Sequence, residues 1–116
     1  VKVLPKTNMK FIYVTCNISM LEQMETLLCE LGISVYQVIP KALAESNFDI
    51  PRKDTAVWPG FNACLLVQEA DPAKADTLLQ RITLMNEKAY NNSEFVTAYL
   101  WSIETFVAPD LVAPVQ

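Results

Sequence analysis

The sequence predicts an α+β sandwich in which a four-stranded antiparallel sheet carries two helices on one face. Three observations lead there. Two strand–helix–strand runs of the same order succeed each other within 116 residues. Each helix-like run has a start signal ahead of it or a stop signal behind it. The strand-like runs are rich in β-branched and aromatic residues.

The first strand is "KFIYVTC" (10–16). It leads into "SMLEQMETLLCELG", where Ser19 and Glu22 have capping-box spacing. Leu21, Met24, Leu27, Leu28 and Leu31 recur at helical intervals there, and Gly32 supplies the stop. "ISVYQVI" (33–39) is the second strand, expected to end at Pro40. "NACLLVQ" (62–68) is the third. Asp71 followed by Pro72 caps the second helix, whose buried stripe is Ala75, Leu78, Leu79, Ile82 and Met85. "FVTAYLWSI" (95–103) is the fourth strand. Two split βαβ units of this size give the ferredoxin-like βαββαβ arrangement.

Alternation then sorts the strand residues. Ile12, Val14, Ala63, Leu65, Val67, Val96, Ala98 and Leu100 are expected to face the helices. Phe11, Tyr13, Tyr36, Val38, Leu66, Phe95, Tyr99 and Trp101 fall on the opposite face. A solvated face should alternate to polar residues and this one does not. An apolar patch of that extent marks an interface, so Phe11, Tyr13, Tyr99 and Trp101 are expected to meet other copies of the chain. The alternative is cover by the C-terminal tail.

Composition narrows the function. The length is that of one domain, able to bury about two-thirds of its unfolded surface. Apolar residues make up 52% and charged residues 19%, a balance that suits surface buried against a partner. A net charge of −4 with no basic stripe argues against nucleic acid. No run of about 18 apolar residues predicts a membrane span, and no signal-peptide pattern opens the sequence. Cys16, Cys29 and Cys64 read as reduced thiols of a cytoplasmic protein. A thiolate metal site from Cys16 and Cys64 is conceivable, but alternation points them to opposite faces, and buried structural cysteine is the simpler reading. With no histidine there is no ordinary Ser–His or Cys–His pair, and glycine-rich phosphate loops are absent. No catalytic residue, metal ligand or cofactor is assigned, and the chain reads as a non-enzyme.

Outside the core lie residues 1–8, the connection after the second strand, the turn from 88 to 94, and a tail from 108 to 116. The connection is long for two strands that a hairpin could join, and such length is usually functional or disordered. Its middle is polar and of mixed charge, with Glu45, Asp49, Arg52, Lys53 and Asp54. This predicts a mobile tip over 44–54. Its end, "TAVWPGFNA", is stiff: Pro59 fixes its own φ and holds Trp58 extended, while Gly60 allows close approach. Trp58 is expected to be packed at this base, with strand pairing starting near Gly60 or Phe61.

Residues 9–107 resemble the PII-like signalling superfamily in topology. "VWPGFN" (57–62) is similar to the valine-tryptophan-proline…asparagine pattern of small PII-like proteins linked to heavy-metal efflux systems of the resistance-nodulation-division type. The resemblance implies a homotrimer with its sheets facing a central core, and a flexible T-loop, here residues 40–58. It implies a small effector bound between subunits, near the loop base and the turn before the fourth strand. Trp58, Gly60, Asn62, Lys88, Tyr90, Asn91 and Asn92 stand at those places. It also implies a target such as a membrane transporter, reached by the loop through Phe48, Asp49, Arg52 and Lys53. The turn "EKAYNNSE" (87–94) departs from classical PII proteins: it has no glycine and only Lys88 as a cation. For want of those phosphate-holding groups neither ATP nor 2-oxoglutarate is assigned, and the loop also lacks the tyrosine that some PII proteins modify. The reading from another class is a small ferredoxin-like enzyme or stress protein acting on a hydrophobic small molecule.

Overall fold

In the computed structural model, residues 2–4 and 8–109 are described. Four strands, β2 (Lys10–Asn17), β3 (Tyr36–Ala42), β4 (Asn62–Glu69) and β5 (Thr97–Ser102), form one antiparallel sheet in the order β3–β4–β2–β5. Helices α1 (Leu21–Glu30) and α2 (Pro72–Glu87) cover one face. This is the ferredoxin-like α+β sandwich the sequence predicts. A separate two-stranded ribbon pairs β1 (Lys2–Leu4) with β6 (Phe106–Ala108), joining a segment ahead of the four-stranded sheet to one that follows it. The tail beyond Pro109 lies outside the described residues. No helix among the described residues is long and apolar enough to cross a membrane.

The core lies between sheet and helices. Ile12, Val14, Leu65 and Val67 meet Met24, Leu28 and Leu78, all fully buried. Each such side chain contributes roughly 1.5–3 kcal/mol on burial. Asp71 caps α2 by accepting from the Ala73 amide at 2.9 Å, with Pro72 in the first turn. The capping box expected of Ser19 and Glu22 does not form. A short 3-10 turn (Ile18–Met20) precedes α1 instead, and Asn17 Oδ1 accepts from the Ser19 amide.

β3 departs most from expectation. Gly32 takes φ +72° after α1, and the Ile33 amide then donates to the Leu28 carbonyl at 2.9 Å. Ile33 is thereby drawn into the core as the helix stop. The strand starts only at Tyr36 and runs through Pro40 to Ala42. Proline is tolerated because β3 is an edge strand and its register slips between Ile39 and Ala42. Tyr36 and Val38 stand opposite Val67 and Leu65, so they face the helices, not the open side as alternation suggested. The Tyr36 hydroxyl donates to Glu25 of α1 at 3.2 Å. Gln37 and Ile39 take the open-face positions.

β5 also starts late. Asn86, near the end of α2, clasps the Val96 backbone: its Nδ2 donates to the Val96 carbonyl at 2.9 Å and its Oδ1 accepts from the Val96 amide at 2.8 Å. Val96 is therefore bonded to a side chain, and sheet pairing begins at Thr97.

Candidate functional site

The face away from the helices carries an aromatic ladder. Phe11 pairs with Trp101 across β2 and β5 at 5.7 Å between ring centroids, and Tyr13 pairs with Tyr99 at 6.0 Å. Tyr99 and Trp101 are 6.4 Å apart along β5. Cross-strand aromatic pairs stabilise the sheet, yet Tyr99 and Trp101 remain about half exposed, 50% and 52%.

The connection from β3 to β4 lies over the other half of this face. Ala44 and Arg52 exchange two backbone hydrogen bonds of 2.8 Å, drawing the segment between them into a closed loop. Its tip reaches the opposite edge of the sheet. There Phe48 packs on Phe95 with centroids 5.8 Å apart, and Asn92 Nδ2 donates to the Phe48 carbonyl at 2.6 Å. The loop thus leaves the β3 edge, passes the two central strands and docks beside β5, like a strap. A polar tip with few anchors was expected; Phe48 and Arg52 are the anchors that composition concealed.

Beneath the strap is a cavity of about 640 Å³, floored by Tyr13, Thr15, Cys64, Thr97 and Tyr99 and roofed by residues 42–50. At one end the Arg52 guanidinium, only 9% exposed, forms an ion pair with Asp49 and donates from Nη1 to Asn62 Oδ1 at 2.9 Å. Asn62 Nδ2 donates in turn to Thr15 Oγ1 at 3.2 Å. Next to it the Tyr13 hydroxyl lies 3.3 Å from Cys64 Sγ. That hydrogen bond, together with burial, pushes the Tyr13 phenol up to about 12. Cys16, on the helix side, is pushed up to about 11 by burial.

Each of these groups is stabilised in its neutral form on folding, so its contribution is complete below the unfolded value and is lost as pH rises through the folded one. The stability of the fold is expected to fall from about pH 9 through about pH 11 as Cys16 is forced to ionise, with Tyr13 extending the loss toward pH 12. Thermal melts across that range measure it. Cys29 is exposed while Cys16 and Cys64 are buried, so a thiol reagent at mildly alkaline pH should label Cys29 alone until the chain unfolds. Fast labelling of Cys64 would show that the strap does not shield it.

The residues singled out from sequence do not all converge within one chain. Of the seven expected ligand residues only Asn62 lines this cavity. Trp58 is 41% exposed within one chain, and its backbone does the anchoring there: the Trp58 carbonyl accepts from the Lys53 and Thr55 amides, and its amide donates to Thr55 Oγ1. Gly60, at φ +84°, turns the chain so that its carbonyl accepts from the Asp54 amide, and regular pairing starts at Asn62. Lys88 ends α2, Tyr90 is 93% exposed, and Asn91 caps the turn that follows by accepting from the Ser93 amide. Asn92 touches the loop through Phe48. Of the four residues expected to meet a target, Asp49 and Arg52 are turned inward, Phe48 is docked on Phe95, and Lys53 is on the outside beside Glu45. Arg52 as the centre of a buried network was missed. Its signal in the sequence was an arginine three residues after an aspartate, inside a loop that also carries Phe48 and Ile50.

No protein-family model matches the sequence, and no curated protein is similar to it in sequence. Solved structures are similar in fold. A protein from Thermus thermophilus described as PII-like and signalling aligns over 89% of this chain and 91% of its own, with 19% identity and a TM-score of 0.60. CPII, a nitrogen regulatory PII-like protein from Thiomonas intermedia K12 bound to ADP, AMP and bicarbonate, aligns over 94% of this chain and 100% of its own, at 12% identity and a TM-score of 0.67. The same protein bound to ADP, AMP and acetate aligns over 94% of this chain and 95% of its own, at 14% identity and a TM-score of 0.67. At these identities the likeness establishes the fold.

Proposed function

We propose that this chain is a regulatory protein of the PII-like kind, a homotrimer that binds a small effector between subunits and acts on a target through the 40–58 loop. The observation that carries this reading is the aromatic ladder. Phe11, Tyr13, Tyr99 and Trp101 form a continuous apolar surface, half exposed at Tyr99 and Trp101, on a sheet face that no helix of the described residues covers. The strap takes the half near Thr15, and the half around Phe11, Leu66 and Trp101 is where copies meet. Trp58, Gly60, Lys88, Tyr90 and Asn91, which do not converge in one chain, then border the clefts between subunits. ADP, AMP and bicarbonate, held by the similar CPII, are the first effectors to try. A membrane transporter of the heavy-metal efflux type is the first target, on the likeness of "VWPGFN".

The test pairs two measurements on the purified protein. Light scattering at micromolar concentration should give three times the chain mass. Thermal melts with ADP, AMP or bicarbonate should rise, because a ligand that binds only the folded state stabilises it by mass action. A monomer whose melting is indifferent to all three would remove the basis of this reading.

A further inference from the structure

The β1–β6 ribbon and the free edge of β5 are two incomplete pieces of sheet. The ribbon continues the β2–β5 pair past its Lys10–Ser102 end, where the Ile103 amide still donates to the Met9 carbonyl at 3.0 Å. Each of its strands has three residues, and no third strand pairs with it among the described residues. Two strands alone are marginal in water and need a third strand or an apolar surface to persist. Val107, in the middle of β6, is 63% exposed. The ribbon is thus an arm without a support.

The sheet has two outer strands, and they differ in what they can accept. β3 is blunted: Pro40 lacks an amide hydrogen, Lys41 follows it, and the register slips between Ile39 and Ala42. β5 carries none of these devices. Its six residues, TAYLWS, hold no charge, proline or glycine and keep unbroken register with β2. Beside its start a groove of about 570 Å³ runs between β5 and α2, walled by Leu79, Ile82, Thr83, Phe95 and Ala98. A strand added to β5 would complete its outer backbone bonds and lay alternate side chains against this wall. The chain does not supply that strand to itself. β6 follows β5 by three residues and is paired with β1, so the arm departs at Ser102 while the groove flanks the Val96–Ala98 end.

We propose that the β1–β6 arm of one copy lies along the β5 edge of a second copy, adding two strands to that copy's sheet and covering the groove beside its α2. The contact is heterologous, with an arm on one side and an edge on the other. Repeated around a closed ring, it leaves no arm and no β5 edge unmatched. It adjoins the aromatic ladder, because Tyr99 and Trp101 belong to β5. It uses the backbone edge and the helix side of that strand, however, where Ala98 packs against the core. The arm contact goes beyond the regulatory reading and requires neither an effector nor a trimer built on the ladder.

Thiol cross-linking between two kinds of full-length chain tests it. In a Cys29→Ser background, where the remaining thiols are buried, one chain carries Val107→Cys on the arm. The other is isotope-labelled and carries Ala98→Cys beside the groove. The two are unfolded together, refolded and treated with a short bismaleimide. Mass spectrometry should find linked pairs of one labelled and one unlabelled chain, and neither variant alone should form linked pairs. A second variant, Val107→Lys, puts a charge on the arm and should weaken association about tenfold. Hydrogen exchange should then quicken in β5 and stay unchanged in β4. The proposal is overturned if no mixed pairs form, if Val107→Cys links to itself as readily, or if Val107→Lys leaves association and β5 exchange unaltered. Mixed pairs in a protein whose melting is indifferent to ADP, AMP and bicarbonate would uphold the arm contact and count against the regulatory reading alone.

Discussion

Replacing Trp101 by aspartate is expected to abolish the proposed trimer without unfolding the single chain. Trp101 sits at the end of the aromatic ladder away from the strap cavity and is half exposed in one chain, so the folded monomer tolerates a carboxylate there. In an assembly built on this face the same carboxylate would be buried without a partner. The penalty is of order 3–5 kcal/mol per site, or about two to four powers of ten in association constant. Light scattering and the far-ultraviolet circular dichroism of the variant check the two halves of the claim. A Trp101→Asp chain that stays assembled places the interface elsewhere.

The second large effect belongs to Arg52→Met. It removes a charge from the centre of a buried network and leaves the Asp49 carboxylate and Asn62 Oδ1 without their partner. Breaking a buried pair from one side costs about 3–5 kcal/mol when the remaining charge cannot escape. Here it can, because Asp49 is carried by the strap. The expected result is a local change: the strap detaches, hydrogen exchange accelerates between Ala44 and Arg52, and the core strands β2 and β4 keep their protection. Uniform loss of protection across the sheet would mean instead that the strap is part of the cooperative core.

The sequence made the sandwich legible because its signals are local and repeated. The α2 start at Asp71-Pro72, the stop at Gly32 and the alternation in β2 each followed from a few neighbouring residues. Tyr36 and Val38 went to the wrong face because facing depends on which residue opposes them, and Ile33 had been taken by the end of α1. Pro40 was read as a stop because nothing in the local pattern says that a strand is at the edge of its sheet. The strap was harder still. Its bonds join Arg52 to Asn62, Phe48 to Phe95 and Asn92 to Phe48, pairs that are brought together by the sheet, not by spacing. In the sequence Asp49, Arg52 and Phe48 stand out as loop residues that would face a target outside the chain. A polar composition suggests solvent, and it cannot reveal that two opposite charges neutralise each other inside.

The clasp of Asn86 on Val96 prepares the surface on which the strap is seated. It fixes the end of α2 and the start of β5 with side-chain bonds of 2.9 and 2.8 Å, so the turn bearing Asn92 and Phe95 is held in shape whether or not Phe48 is present. Docking onto a surface already in place spends no entropy on ordering that surface. The entropic cost of seating the strap then falls on the strap's own residues. Stiffening or loosening residues 45–51 would change that cost without altering the receiving turn.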